Sequence, residues 1–90
     1  MDSAVISGFG WDDDNILHIE MHEFTPDEVE EVSAGDHRVR RTREKRYIAL
    51  GKTIDGRLAF VVFRCLPGGL IRVITARDMD DSERRLFRRK

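Results

Sequence analysis

A chain of 90 residues that is 40% hydrophobic and 37% charged has the size and content of one soluble domain, because two cores would each be starved of apolar surface. Its longest apolar run, residues 58–63, is far short of the roughly 20 residues that cross a bilayer, and the N-terminus lacks the basic-then-apolar order of an export signal. Transmembrane and secreted classes are thereby excluded, no membrane partner is expected, and a single cysteine, Cys65, fits a reducing cytoplasm.

The net charge of −1 conceals a strong polarity along the chain. All 16 Lys and Arg lie at or beyond Arg38, whereas residues 1–37 hold 11 of the 17 acids, so the two parts carry −11 and +10. Thirteen of the 16 bases are Arg, whose planar fork pairs phosphates bidentately. The C-terminal part therefore suits a polyanion, or alternatively the two parts neutralise one another within the fold.

In chain order, residues 4–9 are a short apolar run that predicts a strand. Asp12, Asp13 and Asp14 then offer N-terminal carboxylates to a helix reaching about Met21, where they satisfy free N–H groups and complement the dipole. Thr25-Pro26-Asp27-Glu28 is a stronger start signal: Thr as N-cap, Pro at the first helical position, Glu three residues after the cap, and Phe24 placed to staple onto Val29. That second helix runs through about Ser33 and stops at Gly35. Beyond it the period changes, and residues 37–43, 46–52, 58–66 and 70–77 predict strands, with Asp55-Gly56 and Pro67-Gly68-Gly69 as hairpin turns. Residues 58–63 are apolar on both parities, which places that strand centrally. Asp80 and Glu83 cap a short basic helix over residues 81–89. The expected fold over residues 1–90 is α+β in the order β-α-α-β-β-β-β-α, with two N-terminal helices, a small antiparallel sheet and a short C-terminal helix.

Few residues point to chemistry. His18 and His22 lie one helical turn apart with Asp14 a turn earlier, but the intervening Glu20 is not where a zinc protease helix places its base, and a polar helix face explains both histidines without a metal. Cys65 falls at the end of the most apolar strand and reads as core. The sharper constellation is the set of Arg residues in or beside the strands: Arg38, Arg40, Arg41, Arg43, Arg46, Arg64, Arg72 and Arg77, with Glu44, Tyr47 and Trp11 nearby in sequence. Several Arg and an acid on one sheet can grip a phosphodiester and stabilise charge building on its oxygens. For residues 38–43 the same pattern equally reads as an edge strand protected from aggregation. Arg64 and Arg72 interrupt apolar strands, where a charge is costly without a partner or purpose. Arg72 shares strand parity with Leu70, Ile74 and Ala76, so a purely structural sheet would favour an apolar residue there.

The segment Trp11-Asp12-x-x-Asn15-Ile16-x-His18-Ile19-x-x-His22-x-Phe24-Thr25-Pro26-Asp27-Glu28 resembles the opening of BrnT-type toxins. Glu44-x-Arg46-Tyr47-Ile48, Gly56-Arg57, Ile71-Arg72-Val73-Ile74-Thr75-Ala76-Arg77 and Glu83-Arg84-Arg85-Leu86-Phe87 extend the likeness over nearly the whole chain. The resemblance implies a RelE/barnase-like ribonuclease fold, inhibition of translation by RNA cleavage without cofactor or metal, and a ribbon-helix-helix antitoxin as partner. A homodimer or a toxin–antitoxin hetero-oligomer would be the assembled form. Carried over by position, His22, Glu44, Arg46, Arg64, Arg72 and Arg77 are the expected active-site or RNA-contact set. On this reading His22, Glu44, Arg46, Arg64 and Arg72 are catalytic, with His22 or Glu44 as base, and Arg77 and Trp11 hold the RNA by charge and by stacking. The family usually has a basic residue before the motif histidine and Gly after it, where this chain has Met21 and Glu23. A module that binds RNA or antitoxin but has lost catalysis is thus the alternative, and a purely structural domain with cancelling charges a third.

Overall fold

The computed structural model describes residues 8–89. Helix α1 (Asp13–Glu20) begins where Asp12 accepts the backbone N–H of Asn15 while the Asn15 side chain accepts that of Asp12. Asn15, although buried, is fully used, because its Nδ2 also donates to the Gly10 carbonyl and ties the incoming chain to the helix. Helix α2 (Pro26–Ala34) starts on the expected box, with Thr25 and Glu28 bonded reciprocally, and stops at Gly35. Helix α3 (Asp81–Arg88) has the same device in Asp80 and Glu83. Each start is encoded within four residues, which is why all three were legible.

The strands are β1 (Gly8–Phe9), β2 (His37–Arg41), β3 (Arg46–Lys52), β4 (Leu58–Cys65) and β5 (Leu70–Asp78), in the sheet order β1-β5-β4-β3-β2. The fold is α+β, as expected, and β4 is central with neighbours on both sides. Two expectations need correction. The sheet is mixed, because β1 runs parallel to β5 while the other three pairings are antiparallel; only Gly8 and Phe9 of the predicted first strand lie within the described residues. Cys65 is exposed at the end of β4, since its strand outruns the helices that cover the middle of the sheet.

Helices α1 and α2 lie on one face of the sheet. Ile19, Phe24, Val29 and Val32 close there over Ala49, Ala59, Val61, Ile71, Val73 and Ala76. Gly51 lets α2 settle, because a Cβ at that position would stand 2.6 Å from Val32 Cγ1. A bulge in β5 alters the reading of that strand. Val62 pairs with Thr75 but Phe63 with Val73, so Ile74 is the extra residue and the parity switches across it. Ala76 is therefore buried on the helix side, whereas Arg72, between buried Ile71 and Val73, lies on the reverse face. The parity shared by Arg72 and Ala76 does not hold.

Helix α3 covers one end of that reverse face. Arg77 donates Nη1 and Nη2 to the two carboxylate oxygens of Glu83, each at 2.9 Å, and its guanidinium lies 3.8 Å from the centre of the Phe60 ring. Leu86 and Glu83 sit over Ile48, Leu50 and Phe60. No described residue covers the other end of the face, where Arg46 and Arg64 are exposed.

Candidate nucleic-acid interface

The antiparallel registers that pack Ala49 beside Val61 also bring three arginines into one row. Arg46 is opposite Arg64, and Arg64 is opposite Arg72, on three adjacent strands. Like charges directly opposed destabilise a sheet by roughly 0.2–1 kcal/mol per pair, so the row is a feature that folding alone would not favour. Only Arg72 is paired: its guanidinium donates to both Asp12 carboxylate oxygens across the sheet edge. Among the described residues, the Arg46 and Arg64 side chains make no hydrogen bond or ion pair, and both are exposed. Arg40 adds a fourth cation on this face, opposite Ile48 and one step along from Arg46. Among the described residues, ion pairs between the two oppositely charged parts of the chain are local: Arg72 with Asp12 and Arg57 with Glu28.

Glu44 stands at the open end of this face, in the turn between β2 and β3. Glu44 and Lys45 have φ of 64° and 62°, the pair of positive values that the mirror-image hairpin turns require. Neither residue is Gly or Asn, and the left-handed region costs a side-chain-bearing residue about 1–2 kcal/mol. The turn nevertheless places a carboxylate with no partner among the described residues two positions from Arg46.

His22 is elsewhere. Its carbonyl, with that of Glu23, accepts from Arg57, which immediately precedes β4 and also donates to Asp78 at 2.7 Å. Arg64 lies six steps along β4 from Leu58, about 20 Å of extended chain. The residues named from sequence thus divide: Glu44, Arg46, Arg64 and Arg72 share one end, and His22 occupies the other. Trp11 is half-buried on the helix side, stacked on Phe9 with Nε1 donating to Glu30 at 2.7 Å, so its ring joins the N-terminal segment to α2. Arg77 is held by Glu83.

Arg57 was not singled out as a site residue in the sequence, although the Gly56-Arg57 motif contains it. It stacks 3.6 Å above the Phe24 ring and gathers Glu28, Asp78 and two carbonyls, which makes it the organiser of the α1–α2 turn. This turn also explains the residue after the motif histidine. Glu23 has φ of 63°, the region Gly enters freely. The departure from the family pattern is therefore conformational, about 20 Å from the arginine row. Glu23→Gly is expected to leave stability unchanged or raise it by up to about 1 kcal/mol, the left-handed penalty less the entropy cost of Gly; urea unfolding measures it, and a loss above that size would refute the account.

Two arginine-paired carboxylates, Asp12 and Asp78, set an acid limit. Hydrogen bonding from Arg72 holds Asp12 below the ordinary 3.8, and hydrogen bonding from Arg57 does the same for Asp78. A depressed folded-state pKa contributes stability that is complete above the unfolded value and disappears as pH falls through the folded one. Melting temperature should accordingly be insensitive to these groups from pH 5 to 7 and fall below about pH 4. Asp78→Asn should flatten that fall when melts are compared across the acid range.

A family model described as the ribonuclease toxin, BrnT, of type II toxin-antitoxin systems matches residues 11–83. The match includes α1, α2 and all three arginines of the row. No curated protein and no solved structure gives a significant match to the chain.

Proposed function

The chain belongs to the BrnT family of ribonuclease toxins of type II toxin-antitoxin systems, and on that premise we propose that Arg46, Arg64 and Arg72 hold an RNA phosphodiester while Glu44 starts its cleavage. The observation that supports this reading is the in-register row of three arginines, two of them without a partner among the described residues, on a sheet face that no described residue covers. Arginine does not deprotonate in proteins, so the base must be another group, and Glu44 is the carboxylate at that end with no described partner, Asp12 being held by Arg72. Its carboxylate takes the proton of the ribose 2′-hydroxyl, the 2′-oxygen attacks the adjacent phosphorus, and the bond from phosphorus to the 5′-oxygen breaks. The departing 5′-oxygen takes up a proton from water, leaving a 2′,3′-cyclic phosphate and a 5′-hydroxyl, and Glu44 returns its proton to solvent. Fixed guanidinium donors aimed at the phosphoryl oxygens stabilise the charge that accumulates as the phosphorus becomes five-coordinate. The setting is the cytoplasm, where cutting messages stops translation, and a ribbon-helix-helix antitoxin restrains the toxin. Met21 and Glu23 lie at the far end of the sheet from this row and give no support to a catalytically lost module.

The test uses the folded, antitoxin-free chain and a labelled single-stranded RNA. Cleavage to cyclic-phosphate ends is expected, abolished by Glu44→Gln and retained in His22→Ala. RNA left intact over hours would end the catalytic reading, and loss in His22→Ala with activity in Glu44→Gln would reverse the assignment of the base.

A further inference from the structure

We infer that the outer edge of β2 is the docking site of an extended acidic segment of the partner antitoxin, which adds to the sheet as a further strand. The existence of such a partner rests on the family membership; the docking itself does not depend on RNA cleavage. All five residues of β2 are exposed, and β2 ends the sheet. Thr42 donates its backbone N–H to the Arg46 carbonyl, so in antiparallel alternation Arg40 and Arg38 turn their backbone groups toward β3. His37, Val39 and Arg41 then present theirs outward, and no described residue bonds to them. An edge of this kind is a template for another strand.

Charge decides which strand. Arg38 and Arg40 stand on the reverse face, Arg41 on the helix face, and Arg43 follows after Thr42. A second copy paired about Val39 would set Arg38 against Arg40 twice, which like-charge repulsion opposes. An acidic segment instead finds a cation at each step of one parity, Arg40 without a described partner and Arg38 with its guanidinium donating to the Phe87 and Arg89 carbonyls at the end of α3. The other parity meets apolar surface: Val39 is 52% exposed, and beside it opens a cleft of about 240 Å³ lined by Val29, Val32, Tyr47 and Phe63. An edge protected only against aggregation would have no use for an exposed valine over an apolar cleft. The fitting ligand alternates acids, over Arg38 and Arg40, with apolar side chains that enter the cleft. Since Arg40 adjoins Arg46, acids bound there also compete with RNA for the cationic face.

The probe is a fluorescein-labelled synthetic peptide of alternating Glu and Leu, added to the full chain and followed by anisotropy and by amide resonances. Binding should protect the Val39 and Arg41 amides from exchange. Val39→Pro removes an N–H that faces outward and so spares the ladder to β3; it should weaken binding at least 10-fold, as should Arg38→Ser with Arg40→Ser. If Val39→Pro does not fold, a peptide N-methylated on the amides that would meet β2 makes the same test with the unaltered chain. Equal affinity of methylated and plain peptide would overturn the inference. So would shifts confined to Arg46, Arg64 and Arg72, which would mean simple polyanion binding, or a dimer of the chain that Val39→Pro dissolves. A chain that binds the peptide at β2 but cuts no RNA refutes the catalytic proposal alone, and one that cuts RNA but ignores the peptide refutes this one alone.

Discussion

Arg64→Ala is expected to lower kcat/KM for RNA cleavage at least about 10²-fold while the thermal midpoint stays the same or rises. The activity side follows from position: Arg64 is the middle of the row, opposed to Arg46 on one strand and Arg72 on the other. Removing one donor preorganised for a transition state typically costs about 10²–10³ in rate. The stability side follows from the absence of partners. Arg64 is exposed and makes no hydrogen bond or ion pair among the described residues, so truncation breaks no contact and relieves two like-charge oppositions of roughly 0.2–1 kcal/mol each. Few mutations separate activity from stability in this direction. A melting curve and a cleavage assay on the same preparation check both halves, and full activity in a stable Arg64→Ala protein would remove the row from the site. Arg72→Leu is a poorer probe, because it leaves Asp12, the N-cap of α1, without its guanidinium.

Phe24→Ala should cost about 3–5 kcal/mol, a large part of the roughly 5–15 kcal/mol that holds a domain of this kind together. Phe24 is 1% exposed and belongs to the central cluster with Ile19, Val29 and Val32. Its ring also supports Arg57, whose guanidinium lies 3.6 Å from the ring centre while it bonds to the α1–α2 turn and to Asp78. Truncation therefore opens a cavity and loosens the group that ties both helices to the start of β4. Denaturant unfolding measures the loss, with Leu17→Ala, on the 63% exposed Leu17, as a control expected to stay within about 0.5 kcal/mol. A loss below about 1 kcal/mol at Phe24 would show that the cluster closes over the gap.

The contrast between what was legible in the chain and what was not follows the range of the forces involved. Asp12 with Asn15, Thr25 with Glu28, and Asp80 with Glu83 are bonds between residues three apart, so each helix start could be read from a few letters. Asp55-Gly56 and Pro67-Gly68-Gly69 marked hairpins for the same reason: Gly56 and Gly68 have φ of 91° and 82°. The turn at Glu44 and Lys45 carried no such mark, because side-chain-bearing residues hold positive φ there and only the strands on either side impose it. Helical order, the central place of β4 and the arginine-rich strands were likewise visible. Which arginines meet was not. The partner Asp12 of Arg72, the bond from Trp11 to Glu30, and the separation of His22 from Arg46 and Arg64 join residues distant in the chain, and they are settled only when the sheet and its helices assemble. One extra residue, Ile74, moves Ala76 into the core and leaves Arg72 on the open face, because side chains alternate with a period of two and an insertion of one exchanges the faces.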